Sequence, residues 1–301
     1  ELAAVLIPGS FPDVQVSGQV RTVISNIRFP RVVLALLSGA GLAAAGAAFQ
    51  GLFANPLATP DTLGAANGAS FGAVLGILLG LPAFGIQTLA MITGVAAVLM
   101  AWSVAQVRGT IPPLMVILAG MVVSSLFSAL VSLVKYAADP QDVLPSITYW
   151  LMGSMASTTR TTLIMGAPFI LAGSLLLFLL RWKLNTMSLP EDEAKSLGIP
   201  VKRIRSLVIL GAAMVTAAVV SMCGQIGWIG LLISHLVRMI FGNDNRSVVP
   251  ASMASGALFM LIIDTAARSV MATEIPVSIL TSLIGAPCFI LLLRKTGGIR
   301  L

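Results

Sequence analysis

Apolar positions dominate long stretches of the chain, and polar positions collect in the short connectors between them. The pattern predicts helices at 32–53, 63–80, 84–106, 113–136, 161–182, 204–223, 226–241, 249–267 and 277–295. Most of these match the length of about 20 residues that crosses a bilayer as a helix. The stretch 226–241 is the shortest and is glycine-rich. "PSITYWLMGSM" (Pro145–Met155) is too short to span and reads as an interfacial or re-entrant helix, with Tyr149 and Trp150 suited to an aromatic belt. Between the first two spans the pattern breaks at "FANPLATPDTLG" (53–64). Pro56 and Pro60 lack an N–H and cannot continue a helical ladder. Such irregular backbone survives at membrane depth only where it lines a cavity or lies buried in protein.

Composition fixes the solvent. The chain is 57% hydrophobic and 10% charged, with a mean hydropathy of +0.99; soluble domains carry about 25% charged residues. The chain is therefore expected to be an integral membrane protein, a single helical domain over residues 1–301. Its net charge of +7 comes with no basic patch interleaved with aromatics, so it points to topology rather than to nucleic acid. Connectors on one side hold twelve of the eighteen Lys and Arg residues, six of them between Arg181 and Arg205. The positive-inside rule makes that side cytoplasmic. Residue 1 then lies outside and the C-terminus inside. One further helix ahead of Glu1, starting in the cytoplasm, would bring nine visible spans to ten.

Polar residues within the spans are few. Gly39, Ala43, Ala47 and Gly51 recur every four residues, as do Gly64, Gly68 and Gly72, and such faces let helix backbones approach closely. Asp264 is the one carboxylate well inside an apolar run, four residues before Arg268 and so within reach along a helix. An ion-coupled carrier is expected to hold membrane-embedded carboxylates. A single Asp with an Arg beside it reads better as a local ion pair, which leaves secondary transport as the lesser alternative. His235 is the only histidine and stands without Cys, Asp or Glu at ligand spacing, so no metal site is expected. Cys223 and Cys288 both lie in apolar runs as packing residues. No phosphate-binding Gly-rich loop ending in Gly-Lys-Ser/Thr occurs, so any ATPase is another chain.

The largest cytoplasmic connector (184–205) contains "SLPEDEAKSLGIPVKRIR". Ser188 is placed to cap a short helix that opens on Pro190, Glu191, Asp192 and Glu193, acids that suit a helix N-terminus. Gly198 then ends it before Pro200. Such a segment is either a solvated loop or a rigid knob for a cytoplasmic partner.

Several stretches, in this order and spacing, resemble the iron-chelate uptake permeases, the membrane subunits of type II ATP-binding-cassette (ABC) importers. They are "RFPR" (28–31), "GAAFQGLFANPLATPDTLG" (46–64), "NGASFGA" (67–73), "YWLMGS" (149–154), "DEAKSLGIPVKRIR" (192–205), "GQIGWIGLLISHLVR" (224–238), "DTAAR" (264–268), "EIP" (274–276) and "GAPCFILLLRK" (285–295). The resemblance covers residues 18–297. Ser234 stands where the family commonly has Pro, and Trp228 where it has Phe; Ser234 is expected to let its helix run straighter. The resemblance implies an all-α permease of ten transmembrane helices, working as a homodimer in the bacterial inner membrane. Two separate ATPase subunits would bind ATP and Mg inside, and a periplasmic binding protein would dock outside. Arg28, Arg31 and Arg268 match external arginines that receive the binding protein. Asn55 and Leu57 match one cytoplasmic gate, and Thr110, Ile111, Pro112 and Pro113 a second. Glu191, Asp192, Glu193, Ala194, Leu197, Gly198, Ile199 and Arg203 fall in the segment that sits on the ATPase. Ferric siderophore is the commonest family cargo, with haem, cobalamin and molybdate-type oxyanions as alternatives.

Overall fold

The computed structural model describes residues 17–106, 112–189 and 191–295. Eleven α-helices are present among the described residues: α1 (Gly18–Leu52), α2 (Ala65–Leu78), α3 (Ala83–Ala105), α4 (Pro113–Ala137), α5 (Val143–Leu151), α6 (Arg160–Leu184), α7 (Glu191–Ser196), α8 (Val201–Cys223), α9 (Ile229–Phe241), α10 (Asn245–Ala267) and α11 (Val277–Lys295). Six of them, α1, α3, α4, α6, α8 and α10, are long and apolar enough to cross a membrane. Helices α2 and α9 are shorter apolar helices at two of the predicted spans, and α11, of 19 residues and apolar over Val277–Leu292, lies at the last. The first two are short because irregular backbone precedes each: Phe53–Gly64 before α2 and Gly224–Trp228 before α9.

Helices α1 and α8 form the centre, with 72% and 78% of their most apolar windows buried; in α3, α4 and α6 the share is a third or less. The outer helices turn Leu99, Leu118, Leu126, Leu175 and Leu179 outward. A bilayer bundle exposes this kind of surface without cost, since lipid tails are as apolar as leucine.

Close backbone approach explains the small residues. A Cβ on Gly39 would overlap the Gly256 carbonyl of α10, and one on Gly46 would overlap the Gly230 carbonyl of α9. Gly41 meets Val215 of α8, and Gly68 and Gly72 meet the backbone of α3 at Thr93 and Leu89. The predicted small faces are thus packing surfaces, where van der Waals contact stands in for a hydrophobic drive.

Helices α1 and α10 run antiparallel and are clamped by polar groups at both ends, by Arg31 with Asp264 at one and by Gln50 and Ala47 with Arg238 and Asn245 at the other. Nineteen residues of helix separate Arg31 from Gln50, about 28 Å at 1.5 Å per residue. That is close to the roughly 30 Å hydrocarbon thickness of a bilayer, so the two clusters mark its two faces.

Candidate functional site

At the Arg31 end, α1 enters the bundle through a π-helical segment, Val23–Arg28, inside the longer helix. Arg28 closes that segment and is exposed. Arg31, one turn further in, is buried. Its Nε donates to Asp264 Oδ1 at 2.8 Å and its Nη1 to Glu274 Oε1 at 2.8 Å. Asp264 is fully buried, and its second oxygen faces Arg268 Nε at 3.6 Å. Two arginines and two carboxylates thus form a neutral quartet. The i,i+4 pairing of Asp264 with Arg268 is present, but the tighter bond is to Arg31, 233 residues away in the chain. Of the three arginines expected to receive a binding protein, Arg28 is exposed, Arg268 is partly exposed, and Arg31 is committed within the protein.

The same end is closed by backbone bonds between elements. Ser154 N–H donates to the Cys223 carbonyl at 2.8 Å, and Val277 N–H to the Gly153 carbonyl at 2.9 Å. Gly153 and Gly224 both take positive φ, and a Cβ on Gly224 would strike the Trp150 carbonyl. The predicted interfacial helix is α5, with Tyr149 exposed at its end.

At the opposite end, α1 stops at Leu52 in a left-handed turn. Ala54 has φ 46°, and Asn55 N–H donates back to the Gln50 carbonyl at 3.2 Å. Glycine is the usual residue at this position because it has no Cβ penalty there. Asn55 then organises the broken segment: its Oδ1 accepts from Leu57 N–H at 2.9 Å and its carbonyl from Ala58 N–H at 3.1 Å. Leu57 projects with 42% of its surface exposed. Pro112, of the segment expected to form a second gate, is half-buried and stands at the N-cap position of α4. Thr110, Ile111 and the side chain of Pro113 lie outside the described residues.

Helix α7 is the short helix expected in the 184–205 connector. Gly198 takes φ 73°, with Gly198 N–H bonded to the Lys195 carbonyl at 2.9 Å and Ile199 N–H to the Ala194 carbonyl at 3.0 Å. This pair of reverse bonds is the Schellman termination the glycine predicted. Ala194 is buried, whereas Asp192, Glu193, Leu197 and Arg203 are exposed. The side chains of Ser188 and Glu191, and Pro190 as a whole, lie outside the described residues.

Two features were not read from the sequence. One is a cavity of ≈ 180 Å³ where the two irregular segments meet, lined by Asp61, Asn67, Thr216 and Gln225 among others. Gln225 Nε2 donates to Asn67 Oδ1 at 3.0 Å and to Ser70 Oγ at 2.9 Å, tying the α8–α9 connector to α2. The proline break and Asp61 were visible in the sequence, but their meeting with Gln225 was not. The other is the set of bonds around Arg238. Its Nη2 donates to the Ala47 carbonyl at 2.7 Å and to Asn245 Oδ1 at 2.8 Å, and its Nε to Gln50 Oε1 at 3.1 Å. Asn185 Oδ1 accepts from both Asn245 N–H (2.9 Å) and Nδ2 (2.8 Å), and Asn185 Nδ2 donates to Asp244 Oδ1 at 2.6 Å. Bonds from Arg246 N–H and Asn185 hold the Asp244 carboxyl below its ordinary range. Its charged form therefore persists under neutral conditions, and the capping bonds weaken only as pH falls through that lowered value.

No cluster of three or more His, Cys, Asp or Glu side chains capable of holding a metal occurs among the described residues. His235 packs edge-on to Phe289, ring centroids 6.0 Å apart. Ser234 hydroxyl donates to the Gly230 carbonyl, and α9 runs unbroken through it.

Residues 7–295 match the model of the FecCD transport family. The chain belongs to the FecCD transport family. It is 44% identical over 274 residues to the molybdate import system permease protein MolB of Haemophilus influenzae, covering 91% of this chain and 81% of that one. It is 35% identical over 284 residues to the hemin transport system permease protein HmuU of Yersinia pestis, covering 90% and 82%. A solved inward-facing ABC transporter, described as of the metal-chelate type, superposes with a TM-score of 0.88 at 42% identity, covering 94% of this chain and 91% of that chain. PsaBC of Streptococcus pneumoniae shares the fold at a TM-score of 0.62 and 16% identity. The protein is thus a multi-pass membrane permease of the ABC class, a subunit type whose ATPase is separate.

Proposed function

We propose that two copies of this FecCD permease form a path for a metal chelate across the bacterial inner membrane, with ATP and Mg bound by two separate ATPase subunits inside. Helix α7 carries the reading. It is a short acidic helix, held by Ala194 and ended by Gly198, that presents Asp192, Glu193 and the exposed Leu197 away from the bundle. A bare connector between two spans needs neither a termination motif nor an exposed leucine. The face with Asp192, Glu193, Leu197 and Arg203 docks the ATPase. Leu57 and Asn55, with the 110–113 segment of the second gate, close the path on that side. The C-terminus lies in the cytoplasm. On the outer face Arg28 and Arg268 meet acidic residues of a periplasmic binding protein, whose capture long-range charge would speed. Arg31 shares that role only by giving up two short ion pairs.

Cargo selection falls to the binding protein. The relatives' names include molybdate, hemin and cobalamin; a ferric chelate is the cargo we propose for this chain. Ion-coupled secondary transport is the weaker reading, since Asp264 is paired with Arg31 at 2.8 Å and faces Arg268 at 3.6 Å.

The test is co-purification with an ABC ATPase subunit from the same organism. The wild type binds a full complement. A polar scramble of Glu191–Leu197 leaves the bundle folded and loses the ATPase, since no membrane helix takes its backbone bonds from this segment. Full ATPase binding by the scrambled chain removes the docking role.

A further inference from the structure

The bonds around Arg238 join two segments that the proposed mechanism must connect. Asn185 begins the 3-10 turn Asn185–Ser188, which leads from α6 to α7. Gln50 lies in the last turn of α1, and its carbonyl holds Asn55, the first polar residue of the gate segment. Between them runs one unbroken series of bonds: Asn185 to Asn245, Asn245 to Arg238, Arg238 to Gln50 and Ala47, and Gln50 to Asn55. No link is longer than 3.2 Å. Gln50 and Asn245 are almost wholly buried, and Gln50 Nε2 is fixed in turn by the Leu231 carbonyl at 3.3 Å.

Two features show that the bundle is built around this series. Gly51 lies against Asn245: a Cβ there would sit 2.8 Å from Asn245 Oδ1 and 3.1 Å from its Nδ2. The last member of the small-residue face on α1 thus makes room for a polar side chain, not for another helix backbone. The central group is also an arginine, whose planar fork reaches three acceptors on α1 and α10 at once, a geometry that the point charge of lysine does not reproduce.

We infer that Arg238, positioned by Asn245 and Asn185, is the rigid link through which displacement of the ATPase-docking connector reaches the Asn55–Leu57 gate. The inference rests on the proposed ABC importer reading. Its physical basis is a contrast in stiffness. Helices α1, α6, α9 and α10 are regular at this junction, whereas the backbone of Phe53–Thr59 makes local turn bonds and its Asn55 and Leu57 stand exposed, so that this part can swing without breaking a ladder. Contiguity by itself does not prove coupling, so the test must read coupling.

The experiment uses proteoliposomes holding the full transporter with its binding protein, and radiolabelled ferric chelate, hemin and molybdate as probes. Asn185→Ala cuts the connector end of the series, Arg238→Lys removes the fork but keeps the charge, and Gly51→Ala displaces Asn245. Each variant is expected to bind the ATPase and hydrolyse ATP, yet to move at least tenfold less cargo per ATP. Cross-linking through Leu57→Cys is expected to lose its dependence on nucleotide state. A merely structural role lowers assembly and leaves the transport-to-hydrolysis ratio of the assembled fraction unchanged. Should Arg238→Lys or Gly51→Ala fail to assemble, Asn185→Ala, at the half-exposed end, decides. Wild-type coupling ratio in Asn185→Ala overturns the link. A wild-type chain that binds no ATPase overturns the proposed function and the link with it, which separates the two failures.

Discussion

Arg31→Met is the most informative single change at the Arg31 end of the bundle, because it separates a docking arginine from a structural one. Arg31 makes two ion pairs at 2.8 Å, one to the fully buried Asp264 and one to Glu274, whose side chain is 35% exposed. Methionine keeps the length and the apolar contacts but leaves Asp264 with only Arg268 at 3.6 Å. Removing one partner of a buried pair costs about 3–5 kcal/mol, since an uncompensated charge remains. The Glu274 pair adds no more than about 1 kcal/mol, because water replaces its partner. The expected loss is therefore at least about 3 kcal/mol, over a hundredfold in the unfolding equilibrium. Arg31→Met with Asp264→Leu removes both charges together and is expected to recover most of that loss. The assay is equilibrium unfolding in detergent, with binding-protein capture measured on the folded fraction. A single variant within 1 kcal/mol of wild type, or a double variant as unstable as the single, refutes the assignment of Arg31 to the quartet.

The other predictions concern the gate and the docking face. Ala54→Gly relieves a left-handed alanine, worth about 1–2 kcal/mol, against roughly 0.5–1 kcal/mol of added backbone entropy in the unfolded chain; a net gain of about 0.5–1 kcal/mol is expected by the same unfolding assay, and a loss contradicts it. Leu57→Cys in both copies is expected to form a disulfide in one nucleotide state and not in another, because the bond needs Cα atoms within about 7 Å; no cross-link in any state removes the gate assignment. Arg28→Glu with Arg268→Glu is expected to weaken binding-protein capture more at low salt than at high salt, since exposed charges are screened over about 8 Å at physiological ionic strength. Unchanged association at low salt refutes the docking role.

What was legible in the sequence follows from range. Helix positions, the proline break and the Gly198 termination depend on residues within a turn or two of one another, and the structure follows them closely: the stretch expected at 84–106 is Ala83–Ala105, and that at 113–136 is Pro113–Ala137. The small-residue faces were visible as spacing, but not what they meet. Spacing alone does not say that Gly39 touches Gly256 while Gly51 admits Asn245. The charged clusters were hidden for the same reason. Asp264 has a candidate partner four residues on, and the local rule selects Arg268; the shorter bond goes to Arg31 at the far end of the chain, brought there by the antiparallel packing of α1 on α10. Arg238 likewise bonds across 188 residues to Gln50, and a single arginine near a helix end gives no sign of it.

The central claim is that transport through this permease is driven by ATP hydrolysed on another chain. Uptake of radiolabelled ferric chelate, hemin and molybdate into proteoliposomes tests it most directly, with the permease reconstituted alone or together with its ATPase and binding protein, under an imposed proton or sodium gradient or with ATP inside. The account predicts uptake of at least one probe only when ATPase, binding protein and ATP are all present, and none from a gradient alone. Gradient-driven uptake by the permease alone, indifferent to ATP, contradicts it.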